Sequence, residues 1–340
     1  MSAVPESFAA RIGIDLGGTK ISGAVFDAPP RAGLAPSCYR RQAAPRDSYT
    51  ATLNALVELV GALTHDWQQR GGSTAGAMLP VGIGTPGCCL ADTGAMSNSN
   101  STWLNGQRLL ADLQARLPQP LQLANDADCF ALAQSRMQDV AAPRSSALLF
   151  GVILGTGVGG GWVQDGRLRQ GPHQLSGEWG HTPLPYFRGA GLPAASGALE
   201  ASLADRACYC GRKNCSETFL SGPGLLQTHQ QLWGAEAAEV DAVAIAASRE
   251  RRCLATIDLY CDMLARSLAQ VVNTIDPDVI VLGGGLSNIA LLYDAMPQRM
   301  PAYLFSRQRL RTSIRPPING DDSGVTGAAL LCGGLTDQEQ

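Results

Sequence analysis

Residues 11–27 read RIGIDLGGTKISGAVFD, and residues 147–166 read ALLFGVILGTGVGGGWVQDG. Each stretch is an apolar strand-like run, a glycine-built turn carrying Gly-Thr, and a second strand-like run. The same arrangement in both halves of the chain predicts two similarly built regions. Outward from the first stretch, Leu53, Leu56, Val57 and Val60 have helical spacing within residues 50–70. A short buried strand over 81–84 ends in Gly84-Thr85-Pro86-Gly87, and a helix is expected over 106–117. A strand over 121–124 ends at Asn125-Asp126 and gives way to a helix over 127–138. Outward from the second stretch come a long helix over 254–274 and a strand over 279–282 that stops at Gly283-Gly284-Gly285. An apolar helix over 325–332 follows a polar turn at 320–324. Strands alternating with helices argue for an α/β fold. Residues 187–207, rich in Ala and Gly, read as a surface loop or insertion.

The chain has 340 residues, too many for one small core and suited to two domains. A composition of 45% hydrophobic and 16% charged residues, with net charge −3, fits a soluble globular protein and lacks the basic excess of a nucleic-acid binder. No apolar run is long enough to span a membrane, and residues 1–10 do not read as a secretory leader, so a cytoplasmic protein is expected. Ten cysteines in a reducing compartment are expected to be thiols. Cys38, Cys88, Cys89, Cys129, Cys253, Cys261 and Cys332 are scattered and read as small buried hydrophobes. Cys208, Cys210 and Cys215 are clustered.

Three glycine turns each follow an apolar strand: Asp15-Leu16-Gly17-Gly18-Thr19-Lys20, Gly155-Thr156-Gly157 running on to Gly161, and Gly283 to Gly285. Glycine lets backbone N–H groups close around an anion such as phosphate. One such turn is equally a tight hairpin; three together point to a nucleotide. No Walker A pattern is present. The Gly155 turn matches Gly-x-Gly-x-x-Gly, but a dinucleotide site needs a helix next, and the strand-like Trp162-Val163-Gln164 follows instead.

Transfer of a phosphoryl group to an alcohol needs an acceptor for the hydroxyl proton and Mg²⁺ on the phosphates. Asp126, at the end of a strand and the start of a helix, suits the first role; a helix N-cap is its other reading, and Asp128 is its neighbour and competitor. The loops at 84–87 and at 98–105 (NSNSTWLN) offer polar groups for a sugar, or are simply turns. His181, followed by Cys208, Cys210 and Cys215, makes a Cys3His set suited to a structural zinc ion, with free or disulfide-linked thiols as the alternative. Such an ion would hold Glu178, His181 and Glu217 in place.

Together these residues resemble the ROK family of repressors, open reading frames and kinases, along nearly the whole chain. Residues 15–20 look like its first phosphate motif, Gly155-Thr156-Gly157 with 159–161 like its second, and Gly283 to Gly285 like its adenosine-side glycines. Glu178, His181, Cys208, Cys210, Cys215 and Glu217 look like its zinc signature. The resemblance implies an actin-like ATPase (ribonuclease H-like) fold of two α/β domains with ATP and sugar in a cleft. The domains would be 1–125 with 318–340, and 126–317. It implies that Asp126 is the catalytic base and that Asn125, Asn100, Glu178, His181 and Glu217 contact sugar hydroxyls, with the 84–87 loop beside them. His181 would keep one ring nitrogen on zinc and turn the other to the sugar. ATP with Mg²⁺ would lie on the three glycine loops, and a homodimer is implied.

Within the family, residues 100–106, 177–185 and 208–211 look like bacterial fructokinases, which implies fructose 6-phosphate as product, with mannose, glucose or an N-acetylhexosamine as other acceptors. The stretch between His181 and Cys208 is longer than the family's usual one, and Asn214 stands where glycine is common before the third cysteine. Family repressors carry an N-terminal helix-turn-helix, for which the few residues before the first strand leave no room. A non-catalytic sugar sensor would not need Asp126 and all three glycine loops.

Overall fold

The structure, a computed structural model, describes residues 10–73, 78–138, 147–189, 194–234, 241–306 and 308–333. Chain contacts group it into two compact units, the first from 1–139, 161–176 and 318–340, the second from 140–160 and 177–317.

The first half supplies β1 (Arg11–Leu16), β2 (Lys20–Phe26), β3 (Cys38–Ala43), α1 (Tyr49–Gln69), β4 (Val81–Thr85), the short pair β5 (Cys88–Cys89) and β6 (Met96–Ser97), α2 (Leu109–Gln114), β7 (Leu121–Asn125) and α3 (Asp126–Met137). Its sheet runs β3-β2-β1-β4-β7, with β1–β2 and β2–β3 antiparallel and β1–β4 and β4–β7 parallel. Large and small residues alternate along these strands, and successive side chains of a strand point to opposite faces. Ile12, Ile14, Val25, Val81 and Ile83 pack with Leu53, Leu56, Leu59, Val60 and Leu63 of α1, as the helical spacing predicts. The other face is narrow where Gly13, Gly82 and Ala24 lie, with Phe26 packing at its end. A Cβ on Gly13 would stand 2.1 Å from the Val325 carbonyl, and one on Gly82 would stand 1.8 Å from that of Ala328. The helix carrying those carbonyls therefore lies backbone against strand. The helix expected over 106–117 is shorter, because Gly106 turns the chain at φ +80° and α2 ends before Pro118.

The rest of the chain supplies β8 (Leu148–Leu154), β9 (Val158–Gln164), β10 (Arg167–Leu168), α4 (Ala194–Ala201), α5 (Glu217–Leu220), α6 (Gly222–Trp233), α7 (Ala242–Ala247), α8 (Arg251–Ile275), β11 (Val279–Gly283), α9 (Leu291–Arg299), β12 (Ser313–Arg315) and α10 (Ser323–Leu331). The second sheet runs β10-β9-β8-β11-β12, the same order as the first, with β8–β11 and β11–β12 parallel. The echo between residues 11–27 and 147–166 is thus an echo of topology. The strand expected after Gly161 is the second half of β9. α8 ends at Asp276, whose φ of +45° makes the left-handed stop.

One expectation is corrected. Residues 187–207 are not a plain surface loop: α4 lies within them, and its Glu200 is fully buried in an ion pair with Arg266 of α8. Arg206 is buried too. Residues 190–193 lie outside the described residues.

Candidate functional site

In the first unit the acid Asp126 opens α3 rather than capping it. The cap is Asn125, whose Oδ1 accepts the Ala127 N–H at 2.8 Å while its Nδ2 donates to the Gly87 carbonyl at 2.9 Å. Asp126 Oδ1 shares the same N–H at 2.8 Å, and the residue is half-buried. The competitor Asp128 points elsewhere: it is buried and accepts from Gln170 Nε2 at 3.0 Å.

The 84–87 loop is drawn into the same place. Thr85 is buried and its hydroxyl donates to the Ala124 carbonyl at 3.3 Å. A Cβ on Gly84 would meet Cys129 Sγ at 3.1 Å, and Gly87, at φ +80°, packs so that its own would come within 2.5 Å of the Ser97 carbonyl. The loop that follows Ser97 is braced by Asn105, which accepts the Ser99 N–H at 2.9 Å and donates back to its carbonyl at 3.1 Å. This leaves Asn100 exposed at the loop's tip. The bracing role of Asn105 has no signal in the sequence beyond being an asparagine in a turn.

The first glycine turn lies beside this loop. Gly17 N–H donates to the Lys20 carbonyl at 3.0 Å, and a Cβ on Gly18 would face Ser101 Oγ at 3.5 Å. Thr19 and Lys20 are exposed. Gly324, at the start of α10, packs so closely on Asp15 that a Cβ would stand 2.8 Å from its carboxylate. Burial raises the Asp15 carboxyl above the ordinary aspartate range, while Lys20 and Arg41 pull it down.

In the second unit the other two glycine turns meet. Gly155 N–H donates to the Gly157 carbonyl at 3.0 Å, and the Gly155 carbonyl accepts the Gly222 N–H of α6 at 2.8 Å. Gly284, at φ +77°, lies against Leu154 and Gly155, where a Cβ would stand 2.5 Å from the Leu154 carbonyl. Gly283 ends β11 and Gly285 faces open space. Thr156 is exposed. Backbone groups can approach an anion here as they could not past side chains. Glu217 joins this turn: its Oε2 accepts the Val158 N–H at 3.0 Å.

Glu178 precedes and His181 ends a 3-10 turn over Trp179–His181, locked by the Trp179 indole donating to the Gly159 carbonyl at 2.9 Å. Burial raises the Glu178 carboxyl; His181 opposes this and Glu217 adds to it. Among the described residues His181, Cys208, Cys210 and Cys215 bring one donor atom each within 4.8 Å of one another. His181 Nδ1 is 3.5 Å from Cys208 Sγ, and Cys210 Sγ is 3.6 Å from Cys215 Sγ. A tetrahedral zinc with metal–sulfur bonds of about 2.3 Å spaces its sulfurs about 3.8 Å apart, so the donor set fits. All ten cysteines are free thiols. The longer stretch before Cys208 is absorbed by α4, and Asn214 takes φ +56°, the left-handed turn a glycine would take.

Two residues of this unit escaped the sequence. Arg206, buried, donates to the Thr218 and Gly224 carbonyls at 2.6 and 3.0 Å and to Thr228 and Gln231, each at 2.9 Å, and lies over the Phe219 ring. It ties the approach to Cys208 to α5 and α6. Tyr209, between two of the cysteines, has its hydroxyl 2.9 Å from His181 Nε2. That ring nitrogen, expected to face the sugar, is already engaged.

The ROK family model matches residues 11–334. An N-acetyl-D-glucosamine kinase of Shigella boydii is 34% identical over 323 residues, covering 94% of this chain and 98% of the relative. Among solved structures, a ROK hexokinase from Thermus thermophilus superposes with a TM-score of 0.71 at 25% identity, over 94% of this chain and 97% of that one. A ROK-family glucokinase from Streptomyces griseus, in complex with glucose and AMPPNP, superposes with a TM-score of 0.69 at 20% identity, over 95% of this chain and 99% of that one, and speaks to the fold. Two sheets of the same strand order, each opened by a glycine-turn hairpin, agree with those neighbours in the actin-like ATPase fold. By a match that runs almost from end to end, the chain belongs to the ROK family.

Proposed function

We propose that this protein is an ATP-dependent sugar kinase whose leading acceptor is N-acetylglucosamine. The kinase reading draws on relatives matched along nearly their whole length. The observation that carries the chemistry is Asp126 at the first turn of α3, beside the Asn125–Gly87 bond, with Asp128 buried and turned away. Asp126 accepts the proton of the attacking hydroxyl; the hydroxyl oxygen bonds to the terminal phosphorus, and the bond to the leaving ADP oxygen breaks. Asp15 to Lys20, Gly155 to Gly157 and Gly283 to Gly285 hold the nucleotide, and Mg²⁺ neutralises its phosphates when bound. The 84–87 loop, Asn100, Asn125, Glu178, His181 and Glu217 hold the sugar. Zinc on His181, Cys208, Cys210 and Cys215 would supply a structural cross-link rather than a reacting centre.

Sugar identity separates two readings. N-acetylglucosamine is favoured because the similar curated relatives bear that name. Fructose is the second, favoured by the likeness of residues 100–106, 177–185 and 208–211 to fructokinases. The reading extends to a cytoplasmic protein, consistent with ten free thiols, and to a homodimer on the family resemblance alone. It also keeps 1–125 with 318–340, and 126–317, as the two domains, a division distinct from the contact-defined units.

ADP release measured with N-acetylglucosamine, fructose, glucose, mannose and N-acetylmannosamine decides. Turnover with none of them would sink the kinase reading, and faster turnover with fructose would reverse the order of the two acceptors. Metal analysis of protein purified without chelator should give one zinc per chain; its absence would remove the zinc assignment.

A further inference from the structure

The segment from Glu217 to Gly222 grips the second glycine turn at two points. Glu217 Oε2 accepts the Val158 N–H at 3.0 Å, and the Gly222 N–H donates to the Gly155 carbonyl at 2.8 Å. The two bonds bracket Thr156 and Gly157. Gly157 leaves room for the carboxylate, since a Cβ there would stand 2.8 Å from Oε2. The base of this grip is firmly held. Ser216, Phe219 and Leu220 are fully buried, and the Ser216 N–H donates to the Thr182 carbonyl at 2.8 Å. Arg206 donates to the Thr218 carbonyl at 2.6 Å, and the Tyr260 hydroxyl of α8 donates to the Leu220 carbonyl at 2.9 Å. A carboxylate beside a phosphate-binding turn repels the phosphate it would receive. What Glu217 can contribute to the turn is therefore position, not charge.

From this geometry we infer that Glu217 is a positioning residue for the nucleotide. Its Oε2 fixes the backbone on one side of Thr156 and Gly157, so that their N–H groups meet the phosphates on a set path. The second carboxylate oxygen is left to the sugar, and one side chain serves both substrates. The inference rests on the reading above, which assigns this turn to the nucleotide and Glu217 to the sugar. It goes beyond that reading by making nucleotide affinity depend on a residue assigned to the sugar.

Glu217→Gln and Glu217→Ala both remove the charge, but only the glutamine keeps an acceptor for the Val158 N–H. Their difference isolates the hydrogen bond. Calorimetric titration with AMPPNP and Mg²⁺, without sugar, should show the alanine variant binding about three- to tenfold more weakly than the glutamine variant, the loss of one hydrogen bond. Zinc content and melting temperature should be alike in the two. Equal nucleotide affinity would overturn the inference, because Glu217 would then serve the sugar alone. A lower melting temperature or zinc content in the alanine variant alone would overturn it too, because the bond would be holding the fold. Amide hydrogen exchange needs no variant: the Val158 N–H should be protected in the wild type, and free exchange there would remove the premise. A wild type that phosphorylates no sugar of the panel brings down the functional reading, and this inference with it. A working wild type whose two variants bind nucleotide alike brings down the inference alone.

Discussion

The two compact units hold their polar loops by different means. In the first, Asn125 and Asn105 clamp neighbouring backbone, and Gly84 and Gly87 let the 84–87 loop sink against Cys129 and Ser97. There short side chains bond directly to neighbouring backbone, and glycines let the loop pack closely. In the second, Glu178, His181 and Glu217 stand on turns tied by a buried arginine, an indole hydrogen bond and four metal-type donors. Their positions depend on side chains that cross-link loops. The difference predicts that the first arrangement should survive the loss of its reactive group, whereas the second should loosen when one tie is removed.

The largest expected effect tests the first half of that contrast. Asp126→Asn should lower turnover about 10²- to 10⁴-fold in an ADP-release assay, with melting temperature and zinc content unchanged. A variant with near-normal turnover would remove Asp126 as the base. Next comes Arg206→Ala, which removes four hydrogen bonds and should cost on the order of 3 kcal/mol in denaturant unfolding. Hydrogen exchange should rise across 206–231 while β1 and α3 stay protected; uniform exchange would break the contrast.

Two glycines sharpen it further. A Cβ at Gly160 would lie 2.8 Å from both the Phe150 and Trp179 rings, so Gly160→Ala should destabilise by about 1–3 kcal/mol. At Gly18 the neighbour is Ser101 Oγ at 3.5 Å, an ordinary contact. Gly18→Ala should therefore stay within about 0.5 kcal/mol in stability and instead raise the KM for ATP. The smallest effect concerns Asp15. Its carboxyl is raised in the folded protein, so the stability it contributes is present below the ordinary aspartate range and is lost as pH rises through the raised value. Asp15→Asn should melt higher than wild type at neutral pH, and the gap should close on acidification.

Local pattern made much of this visible in the sequence. The alternation in RIGID and VGIGT, the spacing in α1 and the glycine turns are short-range signals, and Asp126 and the four metal-type donors follow from residue type and position. Residues 187–207 misled because Glu200 finds its partner, Arg266, far along the chain. Tyr209 and Arg206 were missed for the same reason: each matters through a contact with another segment. The acceptor sugar is harder still. Short motifs suggest fructose, yet relatives matched over 94% of the chain include N-acetylglucosamine kinases. Such a choice depends on a few loop side chains that neither a zinc signature nor a phosphate loop constrains.

The contact of α10 with Gly13 and Gly82 also bears on how the chain is made. β1 and β4 leave the ribosome early, but the backbone that covers their glycine face is among the last to emerge. At about 5–20 residues per second, that face waits many seconds uncovered, while all of residues 177–317 is synthesised. The glycine face of the first unit thus stays uncovered until the last segment of the second unit has been made. A released chain truncated after residue 322 should show a protease-resistant second unit beside a cleavable first one.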